Sequence, residues 1–272
     1  MLSNKDAVIA FARQERGNSK HIFHDDNQKL YSYGHHFVLA VKLDTGEYLI
    51  NGDTYSSSTS HHTSLCIRHL GPNVIIPFSA LDQVTRDYHL IKLVDRSSDI
   101  YIPRTRKDPK TGELVEYKEH RLGAAVIKFE NRYYLSSIDD GARGRGGYFL
   151  VELPERATTV DEAFDMLFPK GLHKSDLFLR QGEFFFNPAG VETKELSPVE
   201  PIEDKNNLTK YFKNAGTGHA HIVTEIRQKD GDIYVRGTIR HPEHKMLILG
   251  KIWHRVYVNR AVRSFSASGN VD

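Results

Sequence analysis

The sequence predicts an α+β protein, predominantly antiparallel β, with two domains joined by a short helix. Three observations carry that expectation. Short apolar runs punctuated by turn residues recur along most of the 272 residues, the pattern of hairpin-connected strands. Only two segments carry both a start and a stop signal for a helix. A polar stretch, residues 188–207, holds three of the ten prolines and precedes a tail that is again strand-like.

Ser3 is placed to cap a first helix, with Asp6 three residues on, the apolar block 7–11 behind it and a stop at Gly17. Residues 37–43 and 47–51 read as a hairpin about Asp44-Thr45-Gly46. Residues 63–70 and 74–77 read as two further short strands, 79–82 as a brief helix, and 91–94 as a return to strand. Residues 122–129 and 132–137 make another hairpin about Glu130-Asn131, and 148–153 a strand closed by Pro154. The clearest helix is 158–168, with Thr159 and Glu162 as a capping box and Pro169 and Gly171 as its stop. It lies in a linker, residues 156–174, between an α+β domain at 1–155 and a β-rich domain at 175–272. In that second domain, residues 176–180 and 183–187 flank a Gln181-Gly182 turn. The tail is a meander of four strands at 219–227, 233–240, 246–249 and 252–259, turning at 229–232 and at Gly250-Lys251, which gives a small β-meander or partial barrel.

Composition bounds the function. With 39% hydrophobic and 26% charged residues, 14 Phe and 13 Tyr, the chain can build a packed core and is not a disordered one. No run approaches the ~20 apolar residues of a membrane-spanning helix, and residues 1–6 carry one lysine with no apolar block behind it, so neither a membrane partner nor a secretory leader is expected. A single cysteine, Cys66, excludes an internal disulfide and a thiolate zinc cluster and fits a cytoplasmic location. The net charge of +2 argues against coating a polyanion by global charge. It is unevenly spread, however: Arg240, Lys245, Lys251, Arg255, Arg260 and Arg263 face only Glu243 as an acid, a basic tail suited to nucleic acid or a nucleotide. The glycines of 141–147 join two strands rather than a strand to a helix, which suits a flexible basic loop better than a phosphate cradle.

The excess that stands out is histidine, fifteen residues of which ten fall in five close pairs. On a strand, residues two apart share a face, so His219 and His221 present two imidazoles side by side with Glu225 further along that face. Imidazole with carboxylate suits a divalent metal ion such as zinc, manganese or iron. His254 is close enough in a meander to add a ligand, and the Pro242-containing turn from His241 to His244 aims two more imidazoles at one point. The alternative is a set of surface-strand and turn histidines bonded to backbone or solvent.

His219-x-His221-x-x-x-Glu225 is similar to the first metal motif of the cupins, and Gly250-x-x-x-His254-x-x-x-x-Asn259 resembles a stretched form of their second. Over about the last 95 residues, the order Arg180-Gln-Gly-Glu183, Gly218-His-Ala-His221, His241-Pro-Glu-His244 and a basic tail also resembles uncharacterised bacterial and phage proteins. That second resemblance implies a role for the histidines and names no activity.

A second group lies near the N-terminus. His35 and His36 precede the first hairpin, and His61 and His62 come after it in a Ser/Thr-rich segment. With Arg68 they could form a metal-free phosphodiester site, one histidine as general base and another as acid. His21 and His24, beside Asp25 and Asp26, are a weaker metal candidate in a polar loop. Three functions stay open: a metal-assisted hydrolase of phosphodiester bonds, a nucleic-acid or partner-binding protein with a structural metal or none, and a metal-independent histidine nuclease.

Overall fold

The computed structural model describes residues 1–25, 28–53, 55–71, 73–108, 111–121, 123–138, 147–199, 210–212, 221–242 and 244–266. It is β-rich and mostly antiparallel. After helix α1 (Asn4–Ala12), strands β1 (Ile22–Asp25), β2 (Lys29–Ser32), β3 (Gly34–Lys42), β4 (Tyr48–Asn51) and β5 (Asn73–Ile76) form a sheet in sequential order. Its last pair is parallel, and helix α2 (Ser57–His69) makes the crossover. A parallel pair cannot be closed by a tight turn, and this corrects the strand expected at 63–70 and the loop expected before it. Ser56 starts α2 as a capping box with Thr59.

Strands β6 (Lys92–Arg96), β9 (Ala125–Phe129), β10 (Arg132–Ile138) and β11 (Tyr148–Glu152) belong to a second sheet, while β7 (Ile100–Lys107) and β8 (Leu114–Arg121) form a separate ribbon. Period-two alternation builds the layers. In β4, Tyr48 and Ile50 face Ala7, Val8 and Phe11 of α1 and Leu65 and Cys66 of α2, whereas Leu49 faces the second sheet. In β10 and β11, Tyr134 and Leu150 meet the first sheet, while Leu135 and Val151 turn outward onto helix α4 (Val160–Leu167). The result is helix, sheet, sheet, helix, with both faces of each sheet covered. Thr159 and Glu162 form the expected capping box of α4, and Val160, Ala163 and Leu167 pack inward, so this helix is a layer of the core as well as the route to the third sheet.

The third sheet runs β12 (Leu179–Gln181), β13 (Phe184–Pro188), β18 (Leu247–Val258), β17 (Asp232–Arg240), β16 (His221–Lys229) and β14 (Ser197–Pro198), with β15 (Lys210–Phe212) also on β16. The two strands expected at 246–249 and 252–259 are one continuous strand. Gly250, at φ +75°, sits in an irregular part of the β17–β18 register instead of a turn. Bulges at 223/225 and about Gly237 bend the sheet. It coils without closing into a barrel among the described residues. Strand β19 (Arg263–Ser266) leaves it and pairs with β11, tying the chain end back to the second sheet.

Candidate metal centre

Register brings the first two imidazoles together. Ile222 pairs with Arg240 across β16 and β17, so one further step of the antiparallel ladder sets His221 opposite His241. Pro242 then stops the strand, and the chain returns His244 to the same place three residues on. The ring centroids are 4.3 Å apart for His221 and His241, 4.6 Å for His241 and His244, and 5.6 Å for His221 and His244. The coiling of the sheet supplies a floor. Phe184, the first residue of β13, meets the His221 ring edge-on at 4.8 Å although β18 and β17 lie between their strands.

His221 is 2% exposed and His241 7%. The Nε2 atom of His221 is buried without a hydrogen-bond partner, a state that costs about 1–3 kcal/mol when nothing compensates it. Burial, and after it the neighbouring His241 and His244, push the His221 pKa from 6.5 down to about 3. At neutral pH its ring is therefore uncharged and carries a lone pair, the form that ligates a metal. One nitrogen from each of the three rings lies within 4.8 Å of the others. Around a tetrahedral ion with bonds of about 2.0–2.1 Å, neighbouring nitrogens are about 3.4 Å apart. A small residue is needed at the edge: a Cβ on Gly182 would lie 2.9 Å from Nε2 of His244, and the residue has φ +58°.

Comparison with protein-family models, curated proteins and solved structures gives no match.

The other expected ligands divide. His219 lies outside the described residues, as do Glu243 and Asp26. Glu225 is not in the cluster. Arg236 donates to its carboxylate at 2.6 Å, and that bond holds the Glu225 pKa below the usual carboxylate range. His254 is buried in β18 opposite Pro188 and Val235, with Nδ1 3.1 Å from the Ile252 carbonyl, and is absent from the three-imidazole group.

The N-terminal candidates are divided between strand β3 and helix α2. His61 and His62 are consecutive on α2, one exposed and one buried, and Arg68 is exposed about 9 Å farther along the helix axis. His35 and His36 are exposed on β3, where His35 packs against Tyr31 and Phe23 with Asp25 3.8 Å away. Both nitrogens of His62 are used. Ser19 donates to Asn4 Oδ1, so Asn4 Nδ2 donates to His62 Nε2 at 3.0 Å, and His62 Nδ1 donates to Ser32 Oγ at 2.7 Å. Burial lowers the His62 pKa below 6.5. Ser32 is fully buried and cannot meet a substrate. His21 and His24 rest against Tyr33 and Phe11; the buried Nε2 of His24 has no hydrogen-bond partner, but the pair is not part of the three-imidazole group. The thiol of Cys66 is fully buried and pushed up by that burial, which excludes it as a nucleophile.

Of the basic tail, Arg240 and Lys245 are exposed directly beside the imidazoles in sequence, and Lys251 and Arg263 are exposed elsewhere. Arg255 is paired with Asp232 at 2.7 Å, and the Arg260 backbone N–H donates to Leu167. Spacing does not single out Phe184, Gly182 or Gln181. The Arg-Gln-Gly turn is the available signal for the last two.

Proposed function

We propose that His221, His241 and His244 form a divalent-metal centre, zinc being the best match to three neutral imidazoles. The observation that carries this reading is the buried, unpartnered Nε2 of His221 within a three-ring group whose ligand atoms are already within 4.8 Å. Three protein ligands would leave a coordination position open, and a zinc ion held there would supply the acidity that turns a water into a nucleophile near neutral pH. Arg240 and Lys245, exposed and next in sequence to His241 and His244, favour an anionic substrate, and we read the activity as hydrolysis of phosphodiester bonds in nucleic acid or a nucleotide. In this reading residues 175–272 are the working domain, 1–155 a supporting one and 156–174 their connection, in a cytoplasmic protein.

The test is elemental analysis of the purified protein, then cleavage of bis(p-nitrophenyl) phosphate with zinc, with manganese and with EDTA. Metal-dependent cleavage lost in His241→Ala is the expected result. Metal bound at one equivalent without cleavage would reduce the centre to a structural one in a binding protein. No metal uptake would remove the reading altogether.

A further inference from the structure

The β12–β13 turn contributes more than a floor. Gln181 is 4% exposed, and its Nε2 donates to the Lys245 carbonyl at 2.5 Å. That bond fixes the orientation of the amide, because only the NH₂ end can face a carbonyl. The other end, Oε1, is buried and has no hydrogen-bond partner. Gln181 is thus bracketed by the surroundings of one imidazole: Lys245 comes next to His244 in sequence, and Gly182 lies against the His244 ring. A histidine that gives one nitrogen to a metal keeps an N–H on the other, and that N–H calls for an acceptor that fixes the tautomer and ring direction. The metal-loaded site needs a buried acceptor at this edge, and Gln181 Oε1 is a buried acceptor left over.

We infer that Gln181 is a positioning residue of the centre: its NH₂ group pins the ligand loop through Lys245, and its Oε1 accepts the N–H of the His244 nitrogen that is not bound to metal. The inference rests on the proposed metal centre. It assigns a role to the Arg180-Gln181-Gly182 turn, which carries no ligand itself. Its chemistry also explains why a non-ligating polar side chain is buried with half its capacity unused.

The experiment uses the full chain, cobalt(II) as a spectroscopic probe and zinc competition for affinity, on wild type, Gln181→Leu and Gln181→Glu. Urea unfolding in EDTA is measured in parallel to separate affinity from folding. The expected result is a ten- to hundredfold loss of zinc affinity in Gln181→Leu with an altered cobalt absorption band. Gln181→Glu, which keeps an acceptor but sets a carboxylate oxygen against the Lys245 carbonyl where the NH₂ group donated, should lose less affinity than Gln181→Leu. If wild type takes up neither ion, the metal reading itself falls and this inference with it. If wild type binds but the Leu variant binds equally well, the centre stands and Gln181 has no part in it. Equal losses in the Leu and Glu variants would also overturn the acceptor role, leaving only the pin on Lys245. Should Gln181→Leu fail to fold, Gln181→Met, which also lacks the acceptor, takes its place, and zinc affinity equal to wild type in that variant overturns the inference.

Discussion

Replacing His221 by leucine should make the metal-free protein more stable and the metal-loaded protein impossible to form. The side chain sits at 2% exposure between Phe184 and His241, with Nε2 unpartnered. Removing an unsatisfied buried nitrogen releases about 1–3 kcal/mol, and losing the ring contacts returns roughly 0.5–1 kcal/mol, so the net gain near pH 8 is about 0–2.5 kcal/mol. The gain grows in acid. The folded pKa of about 3 lies below the unfolded value of 6.5, so the unfolded chain takes up a proton first. Wild-type stability from this group is complete above pH 6.5 and falls as pH drops toward 3, by roughly 2 kcal/mol at pH 5; a leucine does not titrate. Zinc reverses the order. At free zinc a hundredfold above its Kd, wild type gains about 2.7 kcal/mol by mass action, while the variant, with two imidazoles left, gains little. Urea unfolding monitored by circular dichroism at pH 8 and pH 5, in EDTA and in buffered zinc, reads all four values. A variant less stable than wild type by 1 kcal/mol or more in EDTA would mean that the nitrogen is satisfied, and equal stabilisation of both proteins by zinc would place the metal elsewhere.

Gly182→Ala forces a side chain into φ +58° and a methyl group to 2.9 Å from His244; it should lower stability by about 1–2 kcal/mol in EDTA and weaken zinc at least tenfold, measured by competition titration. Glu225→Gln breaks an ion pair whose carboxylate side chain is 43% exposed, so unfolding should change by less than about 1 kcal/mol and zinc affinity not at all, whereas a large affinity loss would restore Glu225 to the ligand set. Ser32→Ala leaves the His62 Nδ1–H buried without an acceptor and should cost about 1–3 kcal/mol in urea unfolding. Because burial depresses the His62 pKa, its contribution in wild type should be complete above the unfolded value and be lost as pH falls below it. A His62→Gln variant should show a shallower acid limb in pH-dependent thermal unfolding.

Much of the local structure was legible because local chemistry set it. Thr159 with Glu162, and Ser3 with Asp6, cap helices that tertiary contacts only extend. The hairpins at 37–51 and 125–137 arise from turn residues between alternating strands. What escaped was set at long range. Residues 57–69 are rich in Ser, Thr and His and make a poor apolar face, and their capping box uses Thr59 where Glu or Gln is the recognisable partner. The segment is helical because β4 and β5 pair in parallel, a fact written in neither strand alone. Gly250 reads as a turn by type, yet its positive φ is spent within a strand. In the candidate site, His241 and His244 were visible as a proline-fixed pair. The choice of His221 over Glu225 as their partner depended on Arg236, which claims the carboxylate from the adjacent strand.

The two histidine groups show why residue type and spacing do not by themselves assign a role. His62 and His221 have the same exposure, 2%, and both sit beside other histidines with their pKa values pushed down by burial. They differ in what their nitrogens touch. His62 gives one to Ser32 and takes Asn4 on the other, so its polar capacity is used in holding α1, β2 and α2 together. A ligand there would have to break two buried bonds before making its own. His221 reaches the same depth with Nε2 unspent, faced by two further imidazoles and beside a turn whose buried Gln181 also keeps an oxygen in reserve. Burying such atoms opposes folding, and the opposition is relieved if an ion enters. Unused capacity alone does not single out a site, since the buried Nε2 of His24 also lacks a partner; the convergence of three imidazoles on the unspent His221 nitrogen is what favours the C-terminal group as the metal candidate.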